Sequence, residues 1–329
     1  MDKNFPTNRS IWIKSEPEID VTQFAKTELD IQYANESVNQ ILDIWYPDKG
    51  EGPYPVVIVF HGGAFAAGHK RTHYIKSMCK PISQGYAIAT IEYRLYSEAK
   101  WPAQLYDGKA AIRFLRANAE KYNLDPNKFV VWGNSAGGNV TQLLAVTGDN
   151  PEMDDLSIGV EASSKVQAAI AWYTTSELMS CEQFGFDIAE KRNATGAGKG
   201  MMPGDGKGAN SMFGELLGFN PLWYPEKTLK ASPIAYVTKD CPPMLLQHGL
   251  NDMVIDPRQS IYMKEKIDAL CGEGRAELDL FEGEPHGSQV IKADENINRC
   301  IDWLDKIFWD GKNPYRCPLK DIKVLPLEQ

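Results

Sequence analysis

From about residue 27, short runs rich in β-branched and aromatic residues alternate with longer stretches of helical period. Leu29 to Tyr33 and Ile41 to Tyr46 alternate apolar and polar positions and lie close together, which predicts an antiparallel pair at one edge of a sheet. Val56 to Phe60 and Ala87 to Tyr93 are apolar with little interruption, as strands covered on both faces must be. Phe129 to Trp132, Val166 to Tyr173, Met244 to Gln247 and Ala276 to Phe281 extend the series to about eight strands. Between them, Ala103 to Tyr122 sets Ala110, Ala111, Phe114 and Leu115 at helical spacing and is stopped by Asn123 and Asp125-Pro126. Arg258 to Leu270 and Asn296 to Phe308 repeat the helical period. Such alternation predicts an α/β fold, a mostly parallel sheet flanked by helices on both faces.

The rhythm breaks between Thr174 and Ala235. An excursion of ~60 residues between two strands is far longer than an ordinary connection and reads as a cap or lid inserted over the sheet. It holds Gly196-Ala197-Gly198-Lys199-Gly200 and Gly204-Asp205-Gly206-Lys207-Gly208, then the aromatic residues Phe213, Phe219, Trp223 and Tyr224. Neither glycine cluster has the spaced GK[ST] ending or the strand and helix that flank a phosphate loop, so both read as hinge or lid sequence. The resulting organisation is an N-terminal extension (1–26), a catalytic domain in two pieces (27–173 and 236–310), the inserted cap (174–235) and a Pro- and Lys-rich tail (311–329) with no legible element.

Composition narrows the partners. The net charge of −9, with no Lys/Arg-rich block to override it, argues against nucleic acid. No run approaches the ~18 apolar residues of a membrane span, and Met1 to Ser10 has no apolar core of a signal peptide, so a cytoplasmic protein is expected. The six cysteines (Cys79, Cys181, Cys241, Cys271, Cys300, Cys317) contain no CxxC and read as free thiols. Self-association into a homo-oligomer is compatible with the sequence, which does not reveal the oligomeric state.

The chemistry centres on Gly133-Asn134-Ser135-Ala136-Gly137, followed by Gly138. A GxSxG arises by chance in roughly one chain in ten of this length, so its context decides. Lys128 to Trp132 is a strand pattern immediately before it, and Asn139 to Val146 is compatible with a helix immediately after. A sharp strand-to-helix turn forces the serine into strained backbone and demands small neighbours at 133, 136, 137 and 138. It also sets Ser135 at a helix N-terminus, where developing negative charge is favoured. His61-Gly62-Gly63-Ala64-Phe65 follows the strand ending at Phe60, and its backbone N–H groups, with that of Ala136, can form an oxyanion hole. His61 itself reads as a structural histidine that fixes this loop. His69 and His73 are four apart, but nothing nearby completes a metal set, and no cofactor or metal is expected.

A nucleophilic serine needs a base, and the base needs an acid. Leu245 to Gln247 leads into a loop carrying Asp252, whereas Asp256-Pro257 before a helical run reads as an N-cap with proline in the first turn. Leu278 to Phe281 leads into Glu282-Gly283-Glu284-Pro285-His286-Gly287, which presents His286 at the same end of the sheet. His248 comes before Asp252 in the chain and reads as packing under the acid loop. Ser135, Asp252 and His286 are therefore the expected nucleophile, acid and base.

With these motifs assembled, the chain resembles the carboxylesterases of the α/β-hydrolase superfamily, specifically the bacterial branch related to hormone-sensitive lipase and to feruloyl and acetyl-xylan esterases. The resemblance covers roughly residues 40 to 310 and also includes Glu92-Tyr93-Arg94-Leu95, Trp101-Pro102-Ala103-Gln104 and Ala231-Ser232-Pro233. It implies an α/β-hydrolase fold, an oxyanion hole from the amides of Gly63, Ala64 and Ala136 with Gly62 shaping the loop, and hydrolysis of a short-chain or phenolic ester through an acyl-enzyme. Ala64 stands where the family has a third glycine, so a left-handed backbone there would be strained. Arg94 and Asp107 read as a structural charge pair. The rival functions are amide hydrolysis by the same residues, as in an arylformamidase or peptidase, and a non-catalytic small-molecule receptor, which the presence of His286 disfavours.

Overall fold

The computed structural model describes residues 17–183 and 211–326. Eight strands form one sheet: β1 (Thr27–Gln32), β2 (Ile41–Trp45), β3 (Tyr54–Phe60), β4 (Ala87–Ile91), β5 (Leu124–Asn134), β6 (Ala168–Trp172), β7 (Met244–Gly249) and β8 (Ala276–Phe281), in the spatial order β1-β2-β4-β3-β5-β6-β7-β8. β1 pairs antiparallel with β2 at the edge and β2 antiparallel with β4, while every pairing from β4 to β8 is parallel. The alternating edge pair and the continuously apolar interior strands thus fold as their patterns predict.

Period-two side-chain geometry sorts the apolar residues of the interior strands onto two cores. Val56, Ile58 and Phe60 of β3 join a core with Leu105, Ile112 and Leu115 of α1 (Ala103–Ala117), Leu143 and Leu144 of α2 (Ala136–Thr147), and Met263 and Ile267 of α3 (Arg258–Cys271). Val57 and Val59 face the other way, into a core with Ile75, Met78 and Cys79 of the 3₁₀ helix His73–Gln84 and Ile297, Ile301 and Leu304 of α4 (Asp294–Trp309). Each such aliphatic side chain contributes about 1.5–3 kcal/mol by leaving water. With both faces covered, only the strand ends and their loops are free to carry chemistry.

The sheet also fixes where that chemistry sits. After β3 the chain turns to the face of the second core, and after β5 it turns to the first, although β3 and β5 are neighbours. The two following loops diverge, leaving a crevice at the carboxyl ends of these strands, the position at which doubly wound sheets bind ligands.

Several boundaries differ from the sequence expectation. α1 ends at Ala117, where the Asn118 N–H and side-chain amide both donate to the Phe114 carbonyl, at 3.1 and 2.9 Å, and residues 118–123 continue as turns. β5 begins earlier, at Leu124, where it pairs with Tyr54 of β3. The tail is packed: the Gln84 amide donates to the Cys317 carbonyl at 2.6 Å and accepts from the Cys317 N–H at 2.9 Å. Farther along, Ile19 bridges Val324, and the Leu325 N–H donates to the Glu18 carbonyl at 2.7 Å, so the two terminal segments pair with each other. All six cysteines are free thiols. Among the described residues no helix is long and apolar enough to cross a membrane. The glycine clusters at 196–200 and 204–208 and residues 1–16 of the N-terminal extension lie outside the described residues.

Candidate active site

The turn between β5 and α2 holds Ser135 at φ 52°, ψ −121°, a conformation that costs a non-glycine residue ~1–3 kcal/mol and persists only when its surroundings enforce it. They do so tightly. A Cβ on Gly133 would lie 2.3 Å from the Gly137 carbonyl oxygen, and one on Gly137 would lie 2.2 Å from that of Phe60. The Ser135 N–H donates to the Trp172 carbonyl at 3.0 Å, and the Thr174 hydroxyl donates to the Ser135 carbonyl at 2.5 Å.

β8 and its following loop bring His286 to this turn. Its Nε2 lies 3.0 Å from Ser135 Oγ and its Nδ1 lies 2.6 Å from Asp252 Oδ2, on the loop after β7. Asp252 is almost completely buried, and its other oxygen, Oδ1, accepts the N–H groups of Val254 at 2.7 Å and Ile255 at 2.9 Å. Burial alone would raise its pKa. The charge of His286 and hydrogen bonds from His248 and His286 outweigh burial and hold the carboxyl well below its ordinary range. Asp252 is therefore ionised wherever a histidine titrates. The edge of the Tyr173 ring packs on His286, with centroids 4.8 Å apart.

The loop after β3 lies across the crevice. Its backbone is strained at adjacent non-glycine positions, Ala64 at φ 55° and Phe65 at φ 58°, so the alanine does adopt the left-handed conformation. Neighbours hold it at several points. The Gly62 N–H donates to Asn134 Oδ1 at 3.1 Å, the Tyr93 hydroxyl to the His61 carbonyl at 2.7 Å, the Tyr96 N–H to the Phe65 carbonyl at 2.9 Å and the Lys70 N–H to Glu92 Oε2 at 3.0 Å. His61 stacks on Tyr93 with ring centroids 4.5 Å apart, which accounts for it as a loop-fixing residue. The N–H groups of Gly63, Ala64 and Ala136 have no hydrogen-bond partner among the described residues.

A family model described as BD-FAE matches residues 42–267. The chain belongs to that family. His286 lies beyond the matched segment, so in this BD-FAE member it is β8 that completes the cluster. The chain is 28% identical over 262 residues to esterase LipC of Mycobacterium tuberculosis (77% of this chain, 58% of the relative) and 30% identical over 243 residues to esterase LipQ of the same organism (72% and 52%). It thus spans about half the length of the curated relatives it matches. Among solved structures, a bifunctional GH43-CE protein of Bacteroides eggerthii superposes with a TM-score of 0.72 at 28% identity, covering 86% of this chain and 38% of that one. A truncated carbohydrate esterase from gut microbiota gives 0.73 at 25% identity, covering 88% and 99%. The fold is that of the α/β-hydrolases.

Other residues singled out in the sequence fall elsewhere. Asp256 lies one residue before the N-cap of α3, which is Pro257 rather than Asp256 itself, and it accepts the Arg258 N–H at 2.9 Å and pairs with its guanidinium at 2.6 Å. Arg94 and buried Asp107 form a structural ion pair at 2.7 Å. His69 and His73 do not converge: His69 accepts the Arg71 N–H, while His73 packs on the Tyr74 ring. The excursion between β6 and β7 leaves and returns through a pinned neck, with the Leu178 N–H donating to Ser232 Oγ and the Ile234 N–H to the Ser176 carbonyl, both at 3.0 Å. Gln259 of α3 ties this neck down by accepting the N–H groups of Ser176 at 2.8 Å and Glu177 at 2.7 Å. Sequence reasoning missed Asn134, Tyr93 and Gln259. Asn134 carried a signal as the residue between the glycine and serine of GxSxG, and Tyr93 as part of Glu92-Tyr93-Arg94-Leu95; Gln259 carried none.

Proposed function

We propose that the protein is a carboxylic ester hydrolase that works through an acyl-enzyme on Ser135. The observation that carries the reading is the hydrogen-bonded chain from Ser135 through His286 to Asp252, at 3.0 and 2.6 Å. Ser135 Oγ attacks the ester carbonyl as His286 Nε2 takes its proton, and His286 returns that proton to the leaving alcohol. Water deprotonated by His286 then releases the acid. Asp252 remains ionised and stabilises the imidazolium. The amides of Gly63, Ala64 and Ala136 receive the oxyanion, each donor contributing about 3 kcal/mol at the transition state.

The BD-FAE membership and the neighbour described as a carbohydrate esterase support a small-molecule ester of the acetyl or feruloyl type, short-chain or phenolic, as substrate. The excursion at 174–235 is the cap that selects it. The cytoplasm is the location we assign, since six free cysteines favour a reducing compartment. The test is Ser135→Ala on p-nitrophenyl acetate: turnover should fall by about 10⁵-fold or more, and unchanged activity refutes the mechanism. A parallel panel of esters, formamides and peptides should show hydrolysis of the esters. Preference for an amide would move the activity to an amide hydrolase using the same residues.

A further inference from the structure

We infer that His248 is a positioning residue for the acid of the triad, a role that rests on the reading of Ser135, His286 and Asp252 proposed above. Its ring is completely buried, and both nitrogens are committed. Nε2 faces two acceptors, Asp252 Oδ2 at 3.2 Å and the Ile255 carbonyl at 3.0 Å, so Nε2 carries the proton. Nδ1 lies 2.8 Å from Ser260 Oγ and accepts its hydroxyl. A neutral imidazole in one tautomer satisfies all these contacts. Two histidines therefore meet on one carboxylate oxygen: His286, which faces the serine, and His248, which does not.

The need for such a group follows from the mechanics of the carboxylate. Rotation about the terminal torsion of an aspartate is soft. That rotation moves both oxygens together: the N–H groups of Val254 and Ile255 hold it at Oδ1, and a donor on Oδ2, the atom that orients His286, holds it from the other side. His248 is the contact besides His286 that holds it. By gripping the Ile255 carbonyl as well, while the Ile255 N–H holds Oδ1, His248 locks residues 252–255 as a unit. A donor on the carboxylate also withdraws charge from the bond to His286. That effect is the lesser one, because the His248 contact is long and shared between acceptors whereas the His286 contact is 2.6 Å.

The experiment measures kcat and KM on p-nitrophenyl acetate, with thermal melts, for His248→Phe, His248→Gln and Ser260→Ala, and Ser135→Ala as control. A misplacement of the order of 1 Å costs ~10²-fold, so His248→Phe should lower kcat about 10- to 100-fold with KM within about twofold. His248→Gln, which keeps a donor near the Nε2 position, should restore kcat to within about threefold of wild type. Ser260→Ala, which frees the far side of the ring, should lower kcat about threefold with KM unchanged. Wild-type kcat in folded His248→Phe, or a His248→Gln variant as slow as His248→Phe, overturns the inference. Should His248→Phe fail to fold, Ser260→Ala decides: lowered kcat supports it and wild-type kcat overturns it. Turnover by Ser135→Ala would instead overturn the triad reading itself.

Discussion

Replacing Asn134 by alanine tests how the strained loop after β3 is tied to the serine turn. Asn134 is 7% exposed, and its Oδ1 accepts the Gly62 N–H at 3.1 Å, the hydrogen bond described above that joins that loop directly to the β5–α2 turn. The other three, from Tyr93, Tyr96 and Lys70, run to the segment at the end of β4. Asn134→Ala leaves the half-buried Gly62 N–H without this partner, at a cost of up to about 1–3 kcal/mol. It also lets the left-handed residues Ala64 and Phe65, each storing ~1–3 kcal/mol, relax away from the serine. If that penalty falls mainly on the transition state, 1.4–2.7 kcal/mol of it corresponds to a kcat loss of about 10- to 100-fold, at 1.36 kcal/mol per decade. KM should change less than about threefold, because oxyanion donors act on charge that develops only in the transition state. Steady-state kinetics on p-nitrophenyl acetate, alongside a thermal melt, gives both numbers. A folded variant with kcat within about twofold of wild type would refute the loop-to-turn coupling.

Two further expectations concern protons. Because Asp252 is held well below its ordinary range, the acidic limb of log kcat/KM should follow one ionisation with unit slope, and a slope of two would show the acid titrating with its base. Burial pushes the Lys109 ammonium down from its ordinary 10.5 to about 8, against the attraction of Asp154 and Asp149. Between those values the unfolded chain binds the extra proton. Stability should therefore rise with pH across that window relative to Lys109→Met, as read by denaturant unfolding, and parallel pH curves for the two proteins would contradict the assignment.

Much of this architecture is legible in the sequence where a periodic rule applies. The continuously apolar Val56 to Phe60 had to be covered on both faces, and Asp256-Pro257 marked the start of a helix, with the cap one residue later than expected, which left Asp252 for His286. Features fixed by pairing between distant side chains carry no such rule. Gln84 on Cys317, Gln259 on Ser176 and Asn134 on Gly62 depend on which atoms the finished sheet brings together. The end of α1 illustrates the boundary between the two cases: period alone carries the helix to Tyr122, but beyond Ala117 the backbone closes in three-residue steps, the Ala119 N–H donating to the Arg116 carbonyl at 3.3 Å and the Asn123 N–H to that of Glu120 at 3.1 Å.

The pinned neck at Ser176, Leu178, Ser232 and Ile234 bears on how much the segment beyond it can vary in length. The entropy of closing a loop grows only with the logarithm of its length, about 0.6 kcal/mol for each doubling. Here the closure is made at the neck itself and anchored to α3 through Gln259. If the excursion is the cap proposed above, insertions and deletions beyond the neck alter that cap at little thermodynamic expense and should leave the hydrogen bonds among Ser135, His286 and Asp252 in place. On that proposal, substrate choice would drift by length as readily as by substitution, above a hydrogen-bonded floor held by the sheet.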